Sequence, residues 1–350
     1  MTLPPTVSII MAVYNGAALL PATIESLFAQ SFTDWELIAV DDCSKDSSAA
    51  LLDTYSDPRI KVIRAGLNEG PVVARNRAFA AATGRYIAGL DQDDICLPER
   101  FAKQVAFLDA NPDAVLVSTA ADFLTDGRRS PGSWPRPLSP ALIDWLLLVQ
   151  NPIVWSTVMF RAEAGHKLRP LERPDYRYVE DFDLYERLRP FGRLAQIDEV
   201  LLLYRVHAGG ASNVFNKTMT ANAERVLRER HCDRLGVRGT RIAPLLVRHV
   251  MAGEPVPNAK TLYRLAAGIR ALRADFGQLG YLPSELADVD AAIGRLWWKL
   301  CRAGVRSGNL MLHETVGVND TVPGFGLAAD LVASQVIGGV RAVHRAVKRG

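Results

Sequence analysis

The sequence lacks the features that mark several classes of protein. Its four cysteines lie far apart and form no metal or redox spacing, which predicts free thiols in a reducing compartment. No run of about 18 uncharged apolar residues is present, and residues 1–5 lack the basic start and the apolar stretch of a signal peptide. A net charge of +3 is too small to indicate binding to nucleic acid. We therefore expect a cytoplasmic protein with no membrane-spanning helix and no nucleic-acid partner.

The order of apolar runs indicates an α/β fold. With 49% hydrophobic and 23% charged residues, a chain of 350 residues can bury one large core or two modest ones. Over the first 120 residues, apolar runs alternate with helical patterns, which predicts a mainly parallel sheet with right-handed crossovers. The predicted strands are Val7–Val13, Trp35–Val40, Ile60–Ile63, Tyr86–Leu90 and Ala114–Thr119. The predicted helices are Ala18–Gln30, Ser47–Tyr55, Gly70–Ala82 and 98–109.

The pattern changes near residues 209–216. Before that point we expect a surface loop at 126–140, a strand at Ile153–Phe160, a helix at Glu180–Arg189, and a strand pair at Leu194–Ile197 and Val200–Val206. Beyond it the pattern is helical, at Met219–Leu235, Lys260–Asp275, Pro283–Cys301 and Leu327–Val347. The sequence thus predicts an α/β domain at 1–212 and a helical C-terminal region of uncertain role at 213–350.

An acidic motif, Asp91-Gln92-Asp93-Asp94, follows the fourth predicted strand. Mg²⁺ and Mn²⁺ prefer carboxylate oxygens and commonly bridge a protein carboxylate and a diphosphate. In an extended segment Asp91 and Asp93 point to the same side, so one can bind metal while the other contacts a sugar hydroxyl. A solvated acidic turn before the next helix would have the same sequence. The position after a buried strand favours the site, because ligands bind at the carboxyl edge of open α/β sheets.

Other charged residues follow the neighbouring strands. Asp41 and Asp42 end the second strand, where a carboxylate can accept hydrogen bonds from a base or a ribose, or cap the next helix. Arg75 lies near a predicted helix start, where an arginine favours a phosphate; a surface salt bridge is the alternative. This convergence of polar residues at one edge supports a binding site more strongly than any single motif does.

A second acidic motif, Glu180-Asp181, starts a predicted helix about ninety residues after the first. One of its carboxylates could act as a general base, although acids are common in the first turn of any helix. His207, after the last predicted strand, could ligate a metal, donate to a phosphate or pack in the core. The two acidic motifs together suggest an enzyme that displaces a phosphorylated leaving group.

As an ordered set, these motifs resemble family 2 glycosyltransferases over about residues 6–212. The matching segments are Val7–Asn15, Ile24–Phe32, Val40–Ser44, Asn68–Gly70, Ala74–Asn76, Tyr86–Asp94, Asn151–Ile153, Ser156–Arg161, Glu180-Asp181 and Tyr204–His207. The resemblance implies the GT-A fold, a nucleotide-diphosphate sugar donor that is often UDP-linked, a divalent metal (Mn²⁺ or Mg²⁺), and inversion at the anomeric carbon. The implied acceptor is a hydroxyl of a glycan or of a lipid-linked glycan in polysaccharide or surface-glycan synthesis.

The resemblance also implies a role for each matching residue. Asp181 would be the catalytic base. Asp93 would bind the metal, and His207 would complete the metal or diphosphate site. The donor would contact Ala12, Tyr14, Asp42, Arg75 and Asp91. Trp155 stands where many relatives have histidine, so it would stack on an acceptor sugar or pack in the core; Glu180 is a further candidate for the acceptor side.

Two other functions compete with this one. A degenerate member could bind a nucleotide sugar or a glycan without turnover, but such a protein would have no chemical need for Asp91, Asp93 and Asp181. A nucleotidyltransferase would share the alternating pattern and the metal carboxylates, but it would need a basic, Gly-rich phosphate loop after the first strand. Residues 14–17 do not form such a loop. A transferase is therefore the function that the sequence favours.

The C-terminal segment carries an apolar helical stripe that ends in basic residues. The stripe is Ala328, Val332, Val336, Val340, Val343 and Val347, and the basic residues are Arg341, Arg345, Lys348 and Arg349. Such a helix could lie on the anionic inner face of a membrane near a lipid-linked acceptor, or pack on other helices. Both alternatives remain open from the sequence.

Overall fold

The computed structural model describes residues 4–132, 137–210, 214–316, 333–338 and 341. Their contacts divide the chain into two compact units. The first comprises residues 1–140 and 151–219, and the second comprises residues 141–150 and 220–350. Each unit is described by itself below.

The first unit is built on a sheet of nine strands. They are β1 (Val7–Val13), β2 (Trp35–Asp41), β3 (Ile60–Arg64), β4 (Tyr86–Gly89), β5 (Ile95–Cys96), β6 (Ala114–Thr125), β7 (Arg128–Ser130), β8 (Met159–Arg161) and β9 (Arg193–Val206). Their order is β3-β2-β1-β4-β8-β6-β9-β5, and β7 pairs with β6. The predicted mixed α/β sheet of GT-A type is confirmed: β3, β2, β1 and β4 are parallel, as are β6 and β9, whereas β8 runs antiparallel to both β4 and β6.

The first unit also contains the helices that flank this sheet. They are α1 (Leu20–Phe28), α2 (Ser48–Asp53), α3 (Pro71–Ala81), α4 (Arg100–Ala110), α6 (Ala162–His166) and α7 (Glu180–Leu188); α5 (Pro140–Leu146) begins at the boundary between the units. Strands β1 and β2 are almost wholly buried because helices cover both faces of the sheet. The core is formed by their side chains together with those of α1 and α4.

The order of the strands places one end of β1 at a topological switch point. The chain runs outward from β1 to β2 and β3, and then returns to pair β4 on the other side of β1. The carboxyl ends of β1, β2 and β4 therefore lie side by side, and a crevice opens there in folds of this type.

Two strand predictions were wrong. Residues 153–160 form a 3₁₀ turn, Trp155–Thr157, before the short strand β8, because the Thr157 hydroxyl donates to the Val154 carbonyl oxygen (2.7 Å) and the Ser156 hydroxyl bonds another segment. Residues 194–206 form one long strand, β9, rather than a pair. Its register against β6 shifts near Ala120, so that one strand absorbs the break that the pattern shows.

The second unit is helical in the part that the structure describes. Its helices are α8 (Asn216–Leu235, entering from the first unit), α9 (Ala243–Leu246, continued by a π-helical turn, Val247–Met251), α10 (Ala259–Phe276), α11 (Pro283–Arg306) and α12 (Leu312–Val316). Residues 141–150 pack within it: Arg230 and His231 of α8 bond the carbonyl oxygens of Leu147 and Leu148 (2.7 and 2.8 Å). The helical C-terminal region is thus confirmed.

Two further predictions concern the membrane and the thiols. Among the described residues, no helix has the length and apolar character needed to cross a bilayer. All four cysteines are free, as predicted. The predicted helix 327–347 falls outside the described residues except for 333–338, which are helical, and 341.

Candidate active site

The first element of the site is the loop after β2, which is anchored by Asp42. Asp42 is buried, and its two carboxylate oxygens accept hydrogen bonds from the backbone N–H groups of Glu69 (3.0 Å) and Gly70 (2.7 Å). These bonds hold the turn that starts α3. Ala12, on β1, is half-buried beside this loop. The contacts of Ala12 and Asp42 with a nucleotide remain predictions, and the structure adds that Asp42 has a structural task of its own.

The loop after β1 is held by the side-chain amide of Gln92. Its oxygen accepts from the Tyr14 N–H and its nitrogen donates to the Tyr14 carbonyl oxygen, both at 3.0 Å. A side chain on Gly16 would overlap the Gln92 amide, which explains why a glycine stands there. The Tyr14 side chain is 42% exposed, so its ring is available to a ligand. The loops after β1 and β4 are therefore one connected structure.

The carboxylate of Asp93 meets the imidazole of His207 at the end of β9. The distance from Asp93 Oδ2 to His207 Nε2 is 2.7 Å, and both side chains remain partly exposed, at 21% and 31%. Arg205 fixes this arrangement, because its side chain donates to the Asp93 carbonyl oxygen (2.7 Å) and its N–H donates to the buried carboxylate of Asp94 (2.8 Å). The two predicted metal ligands are thus brought together although they are 114 residues apart.

This pair fits a divalent cation that also binds a substrate. Among the described residues, no group of three or more His, Cys, Asp or Glu side chains is gathered as a metal site. One carboxylate and one imidazole would therefore need further oxygen donors, which a diphosphate supplies; Mg²⁺ in particular is commonly held by one or two carboxylates and substrate phosphates. The donor set is suited to an ion that binds together with a nucleotide.

Asp91 lies in the loop after β4, on the side of the Asp93–His207 pair that faces Arg75. Its N–H donates to the Ser156 hydroxyl (3.0 Å), and Oδ1 lies 3.6 Å from Nη1 of Arg75. Burial raises the pKa of Asp91 to about 6; Arg75 opposes this rise, whereas Asp93 adds to it. A half-exposed carboxylate at this place can accept a hydrogen bond from a sugar hydroxyl, which is the role predicted for it.

Arg75 has different partners from those that the sequence suggested. It is 5% exposed, its Nε donates to both oxygens of Glu172 (3.0 and 2.9 Å), and its Nη2 pairs with Glu180. Its guanidinium carbon also lies 5.1 Å from the ring centroid of Trp155. Although burial opposes the charge, Glu172 and Glu180 raise the pKa of Arg75. Arg75 therefore pairs with two buried carboxylates, and its contact with a base or a phosphate remains a prediction.

The two candidate residues for the acceptor side, Trp155 and Glu180, are also buried. Glu180 is buried by its pairing with Arg75. Trp155 is 6% exposed and packs against Gly89, where any side chain would overlap its ring. Neither side chain presents a surface to a sugar, so the packing alternative for Trp155 is the correct one.

Asp181 lies in the first turn of α7 with its carboxylate fixed in place. Oδ2 accepts from the Asn151 amide (2.8 Å) and Oδ1 accepts from the Phe182 N–H (2.7 Å). Burial and the neighbouring charge of Glu180 raise the pKa of Asp181 to about 7, against the opposing effects of these hydrogen bonds and of Arg75. A general base works best when its pKa lies near the operating pH. Asp181 is half-buried and has this property.

Sequence reasoning missed four residues that build the site. They are Gln92, Asn151, Glu172 and Arg205. Gln92 and Asn151 stood inside recognised motifs, so their amides could have been examined as loop or carboxylate partners. Arg205 also lay in such a motif, two residues before His207. Glu172 gave no signal, because nothing in the sequence connects it with Arg75, 97 residues away.

Known proteins match this geometry and this sequence. A family model for glycosyl transferase family 2 matches residues 8–168. The chain is 30% identical over 209 residues to the UDP-Glc:alpha-D-GlcNAc-diphosphoundecaprenol beta-1,3-glucosyltransferase WfaP of Escherichia coli, covering 59% of this chain and 79% of that protein. The chain belongs to glycosyltransferase family 2. The present chain also matches an uncharacterized glycosyltransferase of Haemophilus influenzae, the putative glycosyltransferase EpsE of Bacillus subtilis and the succinoglycan biosynthesis protein ExoO of Rhizobium meliloti. It covers 73%, 66% and 63% of their lengths at 28%, 35% and 32% identity.

Solved structures show the same fold for this glycosyltransferase. TarS residues 1–349 from S. aureus, in complex with UDP-GlcNAc, superpose with a TM-score of 0.55 at 17% identity, covering 97% of this chain and 91% of that one. The mannosyltransferase PcManGT from Pyrobaculum calidifontis, in complex with GDP-Man and Mn²⁺, gives a TM-score of 0.51 at 16% identity, covering 98% and 88%. At these identities the likeness concerns the fold alone.

Proposed function

We propose that this glycosyltransferase transfers a sugar from a UDP-linked donor to a hydroxyl of a glycan or lipid-linked acceptor, with inversion at the anomeric carbon. The observation that carries the proposal is Asp181: a carboxylate with a pKa raised to about 7, fixed by Asn151 at the edge of the sheet where ligands bind. The relative that uses UDP-Glc and a diphosphoundecaprenol acceptor, and the structural neighbour with UDP-GlcNAc, support the choice of donor and acceptor classes.

In this proposal Asp181 takes the proton from the acceptor hydroxyl as that oxygen attacks the anomeric carbon. Proton removal by a positioned side chain accelerates such steps by roughly 100- to 10,000-fold. The leaving diphosphate departs from the opposite face of the sugar, which gives inversion in a single displacement. Tyr14, Ala12 and Asp42 would line the nucleotide pocket, and Asp91 would contact the donor sugar.

Asp93 and His207 would hold a divalent metal, Mn²⁺ or Mg²⁺, whose chemistry is to offset the negative charge that develops on the leaving diphosphate. The partial exposure of both side chains leaves room for diphosphate oxygens beside them. The neighbour solved with Mn²⁺ supports the choice of metal. These two residues and the nucleotide would share the ion, so neither metal nor nucleotide is expected to bind tightly alone.

A donor screen tests the proposed function. Purified protein is given a panel of UDP-, GDP- and dTDP-sugars with acceptor extracts, and nucleotide release is measured with Mn²⁺, with Mg²⁺ and with excess chelator. We expect release from a UDP-sugar that depends on both metal and acceptor. Release that persists in chelator would contradict the metal assignment, and release from no UDP-sugar would contradict the donor assignment. NMR of the anomeric proton in the product reports whether the configuration is inverted.

A contact of the helix predicted at 327–347 with an anionic membrane belongs to the same proposal, since a lipid-linked acceptor is presented at such a surface. Cosedimentation with anionic liposomes at low salt compares the full chain with one truncated after Pro323. Equal sedimentation of the two would favour the alternative, in which the apolar stripe packs on other helices.

A further inference from the structure

Arg75 joins three segments of the first unit that the sequence keeps apart. It projects from α3, meets Glu172 in the segment before α7, meets Glu180 in the first turn of α7, and approaches Asp91 in the loop after β4. Each of the three guanidinium nitrogens has a different carboxylate partner. The planar fork of arginine allows this, whereas the single ammonium of lysine does not.

The segment that carries Glu172 is itself fixed to α3. Asn76, the next residue on that helix, donates to the Glu172 carbonyl oxygen (2.8 Å) and accepts from the Glu172 N–H (3.0 Å). Glu172 is fully buried, so its side chain has little freedom to leave Arg75. Helix α3 therefore holds residue 172 by its backbone through Asn76 and by its side chain through Arg75.

The contacts of Arg75 also reach the turn that carries Asp181, the proposed catalytic base. Glu180 pairs with Arg75 and is adjacent to Asp181 in the first turn of α7. Removing Arg75 would leave two buried carboxylates without their cation, and a buried unpaired charge is costly enough to shift the surrounding backbone. Since Asp181 belongs to the same turn, its carboxylate would move with it.

We propose that Arg75 is a positioning residue for sugar transfer: it fixes the first turn of α7, and thereby Asp181, against the donor-site loop that carries Asp91. This inference rests on the proposed function, because it takes Asp181 to be the base. It gives Arg75 a task that involves no contact with the nucleotide. Arg75 is also a cation that acts on Asp181, together with the carboxylates of Glu180 and Glu172 and the neutral phenol of Tyr185.

Two variants separate the position of Arg75 from its charge. Arg75→Gln removes both, so kcat should fall by roughly 10- to 100-fold, on the scale of a displacement of about 1 Å. The acidic limb of its kcat–pH profile should move up by about one pH unit, because the loss of a nearby positive charge raises the pKa of Asp181. Arg75→Lys keeps a charge but cannot serve three carboxylates, so kcat should fall while the limb stays at its wild-type position.

Donor affinity and a matched control complete the test. Calorimetric titration with UDP and metal should give a Kd within about twofold of wild type for both variants. The control is Arg77→Gln on the same helix, which breaks an exposed pair with Glu69 and should change neither kcat nor the limb. Thermal unfolding identifies the variants that fold, and Arg75→Lys alone carries the test if Arg75→Gln does not fold.

The outcomes also distinguish this inference from the proposed function. A fall in donor affinity that accounts for the loss of activity would show that Arg75 touches the nucleotide and would overturn the inference. So would an undiminished kcat in the Arg75→Lys variant, or an unmoved limb in a folded Arg75→Gln variant. A wild-type protein that releases no nucleotide from any donor contradicts the proposed function itself.

Discussion

Replacing Asp181 with asparagine tests the assignment of the base most directly. The substitution keeps the size of the side chain and removes its capacity to accept a proton. Turnover should fall by roughly 100- to 10,000-fold, the usual contribution of general-base catalysis. This range corresponds to about 2.7–5.5 kcal/mol in the activation free energy. Affinity for the nucleotide should stay near the wild-type value, since the base acts on the acceptor.

The structure adds a second, smaller effect. Both oxygens of Asp181 accept hydrogen bonds, from the Asn151 amide and from the Phe182 N–H. An asparagine at this position would set its NH₂ group against one of these two donors in either orientation. The lost hydrogen bond should lower the free energy of unfolding by about 1–3 kcal/mol. The raised pKa of Asp181 means that burial disfavours its charged form, and a neutral asparagine removes this penalty; the two effects oppose each other, so Tm should stay close to the wild-type value.

The assay measures nucleotide release in the presence of acceptor and, separately, the binding of UDP with metal. Asp175→Asn is a matched control, because Asp175 is an exposed acid shortly before α7 and should tolerate the change. Our reasoning would be refuted if Asp181→Asn retained more than about a tenth of wild-type turnover. It would also be refuted if donor binding collapsed, which would make Asp181 part of the donor site.

Three other perturbations give distinct outcomes. In Asn151→Ala the acidic limb of the kcat–pH profile should move to higher pH than in wild type, because Asp181 loses a hydrogen bond that favours its charged form; a limb that moves down would contradict this, and a pH–rate profile decides. Asp93→Ala should abolish turnover and weaken UDP binding with metal while leaving Tm close to wild type, and chelator should inactivate wild type in the same assay. Gln92→Ala removes two hydrogen bonds to Tyr14 and should weaken UDP binding by roughly 30-fold, since two bonds of about 1 kcal/mol each are lost; titration calorimetry showing unchanged binding would mean that the loop is held by other contacts.

The residues at the carboxyl ends of the parallel strands could be predicted from the sequence, because local patterns determine where each strand ends. Buried strands such as β1 and β2 are uninterrupted apolar runs, and the polar residues that follow them must lie at the carboxyl ends of parallel strands. Asp93 and His207 could be predicted to meet only through the family resemblance. Their separation of 114 residues is bridged by the antiparallel pairing of β5 with β9 and by Arg205, and neither leaves a periodic signal.

The errors have a common physical origin in contacts between distant segments. An apolar run at 153–160 is compatible with a strand, but the Ser156 hydroxyl bonds the Asp91 N–H and stabilises a 3₁₀ turn there instead. Arg75 was expected to meet a phosphate because it lies near the start of α3. Nothing in the sequence indicates that Glu172 and Glu180, about a hundred residues away, pair with it. A helix start or an apolar run indicates only the local structural preference of a segment. Contacts with distant, buried residues decide the final structure and the hydrogen-bond partners.

The bonding of Gln92 to the backbone of Tyr14 has a consequence for changing the donor of this enzyme. The loop after β1 is expected to contact the nucleotide base, and the loop after β4 is expected to bind the metal. The side-chain amide of Gln92 joins the two loops by hydrogen bonds, and Gly16 leaves the space for it. Replacing Tyr14 alone to change donor specificity keeps the backbone conformation of the loop, because both hydrogen bonds from Gln92 are to main-chain atoms. Grafting a loop at 14–16 with a residue other than glycine at 16, while keeping Gln92, would make that residue overlap the Gln92 amide. Residues 14–16 and residue 92 should therefore be exchanged together, although they are far apart in the sequence.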